Sequence, residues 1–240
     1  MINQMKDLSQ RSVAIVAGVA FLIMTIAAVF AYGFVFGNLI VPGDGTATAD
    51  KIRASVMLFR SGICSFLIVL ICDVVVAWAL FVFLKQVNKS LSLLTAWLRL
   101  VYAAILGIAL LNLVIVLLLL SGADYLTVFT TDQLHAQVML FLKAFNVEWS
   151  IGLVVFGFHL FLLGCLVYKS GYIPRILGVL LIIASLGYLI TNFANLLLPN
   201  YENYKAIIEP VLSVPMAVGE LSLAFWLLFK GGKRPVGAEP

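Results

Sequence analysis

The stretch from Ser61 to Lys85, SGICSFLIVLICDVVVAWALFVFLK, constrains the fold of this chain more than any other. A bilayer-spanning helix takes about 20 apolar residues, and here the only charge before the closing lysine is Asp73, near the centre. Hydrocarbon admits a carboxylate only where a partner, a cavity or a proton deals with its charge. The rest of the sequence reads as what surrounds that acid.

Five further runs reach spanning length: Val13 to Phe36, Ser92 to Leu120, Trp149 to Val167, Pro174 to Leu198 and Pro210 to Phe229. With 63% of its 240 residues hydrophobic and 11% charged, the chain has too few charges to coat a globule of its size. The expected fold is therefore all-α, a polytopic integral membrane helical bundle of six transmembrane helices in a single domain over residues 1–240. The leading MINQMKDLSQRS precedes an apolar run longer than the roughly 7 to 15 residues of a signal-peptide core, so it reads as the start of a retained first span. Cys64, Cys72 and Cys165 all fall inside spans as small packing residues. With no Cys-x-x-Cys pattern, the expectation is no disulfide, no metal and no cofactor.

The net charge of +4 is organised by position. If the N-terminus is cytoplasmic, Lys6, Arg11, Lys85, Lys89, Lys169, Arg175, Lys230, Lys233 and Arg234 lie inside, and Lys51, Arg53, Arg60, Lys143 and Lys205 outside, nine against five. This is the positive-inside asymmetry. It places both termini in the cytoplasm and makes the lipid bilayer, rather than nucleic acid, the partner that the basic charge implies.

Two outer segments are too polar to span. Asp50-Lys-Ile-Arg-Ala-Ser-Val-Met-Leu-Phe59 and Asp132-Gln-Leu-His-Ala-Gln-Val-Met-Leu-Phe141 share six of ten positions, and each precedes an inward span, a short turn and an outward span. The pattern suggests a parallel internal repeat, residues 50–120 and 132–198. Continuous with its span, each would give a helix of about 36 residues, roughly 54 Å long. A bend near Gly62 and Gly152, with amphipathic helices lying on the outer surface, is the expected solution. Pro174 and Pro210 are expected to start the fifth and sixth helices, and Pro215 to kink the sixth. Gly33 and Gly37 form a GxxxG read as intramolecular packing, and Gly152, Gly157 and Gly164 are read as letting the fourth helix approach its neighbours.

At Trp97-Leu-Arg-Leu-Val101, Lys169-Ser-Gly-Tyr-Ile-Pro-Arg-Ile-Leu-Gly178 and Glu220 through Ala224-Phe-Trp-Leu227, the chain resembles a bacterial six-span membrane family catalogued only as a domain of unknown function, number four-three-eight-six. Most specific are Ser170, Gly171, Pro174, Arg175 and Gly178. The resemblance extends over most of the chain. It implies a multi-pass protein of the bacterial cytoplasmic (inner) membrane and carries over no catalytic residue.

Function has to be read from the intramembrane polar groups. Asp73 lies twelve residues above Lys85, His159 ten above Lys169 and Glu220 ten above Lys230, so three inward-running helices carry an ionisable group at one depth. Arg99 sits slightly nearer the cytoplasm. It can form a structural ion pair with Asp73, or alternatively with Glu220. Glu148, Gly152, Val155 and His159 share a helical face, since eleven residues at 100° return to within about 20° of the start. Ser185, Tyr188, Asn192 and Asn195 line the fifth helix, and Glu209, Ser213 and Glu220 the sixth. These stripes imply an outward-opening polar crevice among the fourth, fifth and sixth helices, with Asn112 from the third. The candidate ligand-binding residues are His159, Glu220, Glu148, Tyr188, Asn192, Asn195, Ser213 and Asn112.

No Gly-x-Ser-x-Gly, His-Glu-x-x-His or phosphate-cradling glycine loop is present, and His135, the other histidine, lies in an outer amphipathic segment. The leading reading is a non-enzymatic binder of a lipid or small amphipathic ligand, with a sensor, immunity or accessory role. The alternatives are a proton-coupled carrier using His159 and Glu220, and an intramembrane hydrolase or transferase with His159 as base, oriented by Glu148 or Glu220.

Overall fold

The computed structural model describes residues 9–233, the side chains at positions 202, 203 and 206 excepted. Among the described residues the chain is all-helical: α1 (Gln10–Leu39), α2 (Gly45–Ala54), α3 (Val56–Leu84), α4 (Lys89–Leu119), α5 (Thr131–Lys169), α6 (Arg175–Leu197) and α7 (Glu202–Phe229), with one 3-10 turn at Asp124–Leu126. All but α2 are long and apolar enough to cross a membrane. The protein is a multi-pass membrane bundle.

Helix starts follow from local chemistry. Ser9 Oγ accepts from Ser12 N at 3.1 Å, Asp44 Oδ1 from Ala47 N at 2.8 Å and Asn88 Oδ1 from Leu91 N at 2.9 Å. Thr130 and Gln133 form a reciprocal capping box at the head of α5. Pro174 caps α6, after a tight turn in which Gly171 takes φ +76°.

The spanning helices alternate in direction and pack in chain order: α1 on α3, α3 on α4, α4 on α5, α5 on α6, α6 on α7, and α7 back on α1. This closed ring is fastened hardest at one end. Arg11 donates from Nη1 to the carbonyls of Leu227 (3.2 Å) and Gly231 (2.9 Å), and from Nη2 to that of Leu228 (2.6 Å), satisfying the orphan carbonyls at the end of α7. One turn or two further in, a Cβ on Gly18 would lie 2.5 Å from Leu228 Cγ and 3.0 Å from the Ala224 carbonyl oxygen. Arg11, Lys85, Lys89, Lys169, Arg175, Lys230 and Lys233 gather at this end of the bundle; Lys6 and Arg234 lie outside the described residues.

Several expectations need correcting. The two matching outer segments fold differently. Ser55, at φ −135° and ψ 45°, separates α2 from α3, whereas α5 runs unbroken for 39 residues, about 58 Å of helix. The break is at Ser55 because α2 leans onto the extension of α5. There Thr46 Oγ1 meets His135 Nδ1 at 3.1 Å and Arg53 Nη1 meets His135 Nε2 at 3.3 Å. Gly62 and Gly152 are contact points, not bends: a Cβ on Gly62 would lie 2.9 Å from Val35 Cγ1, and one on Gly152 3.2 Å from Ile105 Cγ2. The sixth spanning helix begins at Glu202, so Pro210 and Pro215 both lie inside α7. Nothing among the described residues stands within 4 Å of a Cβ on Gly33 or Gly37, so the GxxxG makes no close contact with them.

The first span holds a feature absent from the sequence reading. Val29–Phe36 is wound as a π-helix, a wider turn that rotates the following residues out of the 100° phase. It delivers Phe36 into an aromatic cluster, 6.0 Å from the Phe59 ring, 5.6 Å from Phe66 and 5.6 Å from Phe145. Trp149 joins the same cluster, 5.4 Å from Phe66 and 5.3 Å from Tyr32. Such pairs add about 0.5–1.5 kcal/mol each beyond area burial, which offsets the irregular backbone.

Glycine substitution checks the packing. A Cβ on Gly178 would stand 2.7 Å from Tyr168 N and 2.8 Å from the Gly164 carbonyl oxygen, where α5 and α6 touch backbone to backbone. Gly178→Ala is expected to destabilise the protein by about 1–3 kcal/mol, and Gly37→Ala to change stability by less than about 0.5 kcal/mol, in matched unfolding titrations in one detergent.

Candidate functional site

Arg99 on α4 is fully buried. Its Nη2 lies 2.7 Å from Asp73 Oδ1 on α3 and 3.4 Å from Met24 Sδ on α1, and its Nη1 lies 3.2 Å from His159 Nε2 on α5. The guanidinium carbon also sits 4.9 Å from the Phe21 ring centre and 5.2 Å from that of Phe156, close enough for cation–π attraction. His159 Nδ1 is 2.8 Å from the Thr95 carbonyl oxygen. A carbonyl can only accept, so Nδ1 carries the proton and Nε2 accepts from Arg99. Both ring nitrogens are thus committed, and His159 orients the guanidinium.

Asp73 is left incompletely satisfied. The approach of Nη2 is close but off the hydrogen-bond axis, so the contact is ionic. Neither carboxylate oxygen has an aligned donor among the described residues, and Arg99 Nε has no acceptor. For groups at zero exposure this is unusual. Beside Asp73 a cavity of about 480 Å³ occupies the outer half of the bundle.

The cavity is the gap left where α1 and α7 part company above their fastened ends. Asp73, Phe66 and Val69 of α3, Tyr102 of α4, and Trp149, Leu153 and Phe156 of α5 form its back, with Met24 and Thr25 of α1 at its floor. Tyr188 of α6 and Glu220 of α7 form one side. Tyr188 donates from its hydroxyl to Glu220 Oε1 at 2.7 Å. At the mouth stand Val29, Tyr32 and Gly33 of the π segment and Ser213 and Ala217 of α7, all exposed to the lipid side. The opening is lateral, between the first and last helices.

Of the eight residues read from sequence as ligand-binding, Tyr188, Ser213 and Glu220 line this cavity. The other five are engaged elsewhere. Asn112 donates to Glu148 Oε2 at 2.7 Å, and Asn195 to Ser150 Oγ at 2.7 Å. Asn192 turns back to the Tyr188 carbonyl at 2.8 Å, and His159 serves Arg99. These tie α4 to α5 and α5 to α6. Asp73 belongs both to the ion pair and to the cavity wall.

Sequence reasoning missed Tyr102, Trp149, Phe156, Tyr32 and Met24. Tyr102 stands three residues after Arg99 and Phe156 three before His159, on the same helical faces, so i, i+3 spacing could have found them. Tyr32 had no such signal, because the π segment breaks the phase. Among the described residues no three His, Cys, Asp or Glu side chains converge as a metal site would require.

The family described as Domain of unknown function (DUF4386) matches residues 16–231. Over 168 residues the chain is 38% identical to an uncharacterized protein of Archaeoglobus fulgidus, an alignment covering 69% of this chain and 81% of the relative. No solved structure matches.

The buried pair can be tested by a double-mutant cycle. Removing one partner of a buried pair leaves an uncompensated charge, which costs about 3–5 kcal/mol. Arg99→Leu and Asp73→Leu are each expected to lose stability on that scale, and the double variant to be less destabilised than either single, as read from unfolding in detergent.

Proposed function

The chain belongs to the family described as Domain of unknown function (DUF4386), and we propose that it is a membrane protein that binds a small amphipathic or lipidic molecule in the cavity between α1 and α7. The observation that carries this reading is Asp73: a buried carboxylate without an aligned donor, on the wall of a 480 Å³ space open to lipid. Ligand sites are mostly apolar concavities with a few polar groups that fix orientation. Here the aromatic back wall would take an apolar body, and Asp73, Glu220 and the Tyr188 hydroxyl would take a polar head.

Lateral entry suits a molecule already dissolved in the bilayer. The π segment supports the same assignment, since such widened turns concentrate at functional sites. The proposed setting is the bacterial inner membrane with both termini cytoplasmic, supported by the excess of Lys and Arg at the fastened end of the ring. A sensor, immunity or accessory role fits a binder of this kind. An ancestral duplication of α3–α4 and α5–α6 is part of the reading, supported by the six shared positions at Asp50–Phe59 and Asp132–Phe141.

Trp149 lines the cavity and is one of four tryptophans, so it reports occupancy directly. With Trp78, Trp97 and Trp226 replaced by Phe, brominated dodecanol added to the protein in phosphatidylcholine nanodiscs is expected to quench Trp149 saturably, and Ala217→Phe at the mouth to abolish the saturable part. Quenching that rises only linearly with bilayer concentration, or that ignores Ala217→Phe, would exclude the cavity as a binding site.

A further inference from the structure

Nineteen of the described residues line the cavity, and their charges are one-sided: two are acids, Asp73 and Glu220, and none is Lys, Arg or His. Arg99 faces Asp73 from behind the wall. It is itself divided among Asp73, His159, Met24 and two rings. Glu220 forms no ion pair among the described residues; Oε1 accepts a hydrogen bond from the neutral Tyr188 hydroxyl. The wall therefore carries two acids against one cation behind it: Asp73, fully buried beside Arg99, and Glu220, part-exposed on the α7 side.

The rest of the wall points the same way. Six aromatic residues line the space: Tyr32, Phe66, Tyr102, Trp149, Phe156 and Tyr188. Ring faces carry negative quadrupole potential and attract cations, most of all in a site shielded from water, and cages of this composition suit ammonium groups. A carboxylate head would meet like charge at Asp73 and Glu220. A hydroxyl head could donate one hydrogen bond but would leave the second acid without a countercharge. An ammonium supplies donors and charge together, and hydrogen bonds between ionised groups are about twice as strong as neutral ones.

Resting on the reading of this cavity as a ligand site, we propose that the molecule it takes is a cationic amphiphile, with a protonated amine held between Asp73 and Glu220 inside the aromatic box and an apolar chain leaving through the gap between α1 and α7. This gives Asp73 two functions. It fixes Arg99 and hence the bundle, and it adds negative charge to the wall beside the ligand.

The single-Trp149 protein in phosphatidylcholine nanodiscs separates the cases, with brominated dodecylamine, dodecanol and dodecanoate compared after correction for their partitioning into the bilayer. Dodecylamine is expected to reach half-saturation at a concentration at least about tenfold below dodecanol, with dodecanoate weakest. Glu220→Gln, which keeps the Tyr188 hydrogen bond, is expected to weaken dodecylamine about tenfold more than it weakens dodecanol. Because Asp73→Asn could disturb folding through Arg99, Glu220 carries the test, with elution volume and helical circular dichroism as the check on fold. Equal or tighter binding of dodecanol or dodecanoate, or an amine affinity untouched by Glu220→Gln, overturns the cationic head while the cavity stands as a binding site. Absence of saturable quenching by all three overturns the site itself.

Discussion

The bundle depends on how a guanidinium is held in its interior. Arg99 brings five N–H donors and a full charge to a place with no water, where an unpaired charge is prohibitive. Asp73 supplies the countercharge at 2.7 Å, His159 a neutral acceptor at 3.2 Å and Met24 a soft one at 3.4 Å. Those partners come from three other helices, so the depth and rotation of α1, α3, α4 and α5 are fixed together. His159 can play its part only because Thr95, one turn before Arg99 on α4, takes the Nδ1 proton. The histidine is thereby locked in the tautomer that presents a lone pair to the arginine.

The same arrangement creates the cavity chemistry. A sequential ring of six helices needs one closing contact, and among the described residues it is fastened at one end by Arg11 on the carbonyl end of α7 and by the glycine approach at Gly18. Above that point the π segment of α1 turns inward toward its aromatic cluster, while α7 continues with two prolines in its body. The space between them reaches back to Asp73. The carboxylate that holds Arg99 therefore also stands on the cavity wall.

Much of the fold was legible because the bilayer enforces it: six long apolar runs must be helices, and short polar turns must make neighbours antiparallel. Counting residues up from Lys85, Lys169 and Lys230 put Asp73, His159 and Glu220 at one level, and Arg99 does touch the first two. What the count could not give was the face each residue presents. The polar stripe on α6 looked like the lining of a crevice, yet Asn192 and Asn195 use their amides on neighbouring backbone and on Ser150. Asn112 and Glu148 likewise satisfy each other. Isolated polar groups in helices pair off locally wherever a partner is in reach, and a stripe on one helix does not say whether it has one.

The amino-acid sequence alone determined the membrane class, the number of spans, the sorting of basic residues to one end and the need to neutralise a central acid, since these follow from segment length and the cost of charge in hydrocarbon. Tertiary structure decided the rest: that the ring closes α7 on α1 at one end, that α1 winds into a π-helix, that α2 breaks from α3 at Ser55 to meet His135, and that Asp73 looks onto a cavity as well as onto Arg99. Each of these is set by side-chain contact between segments far apart in the chain, where no periodicity or spacing carries the information.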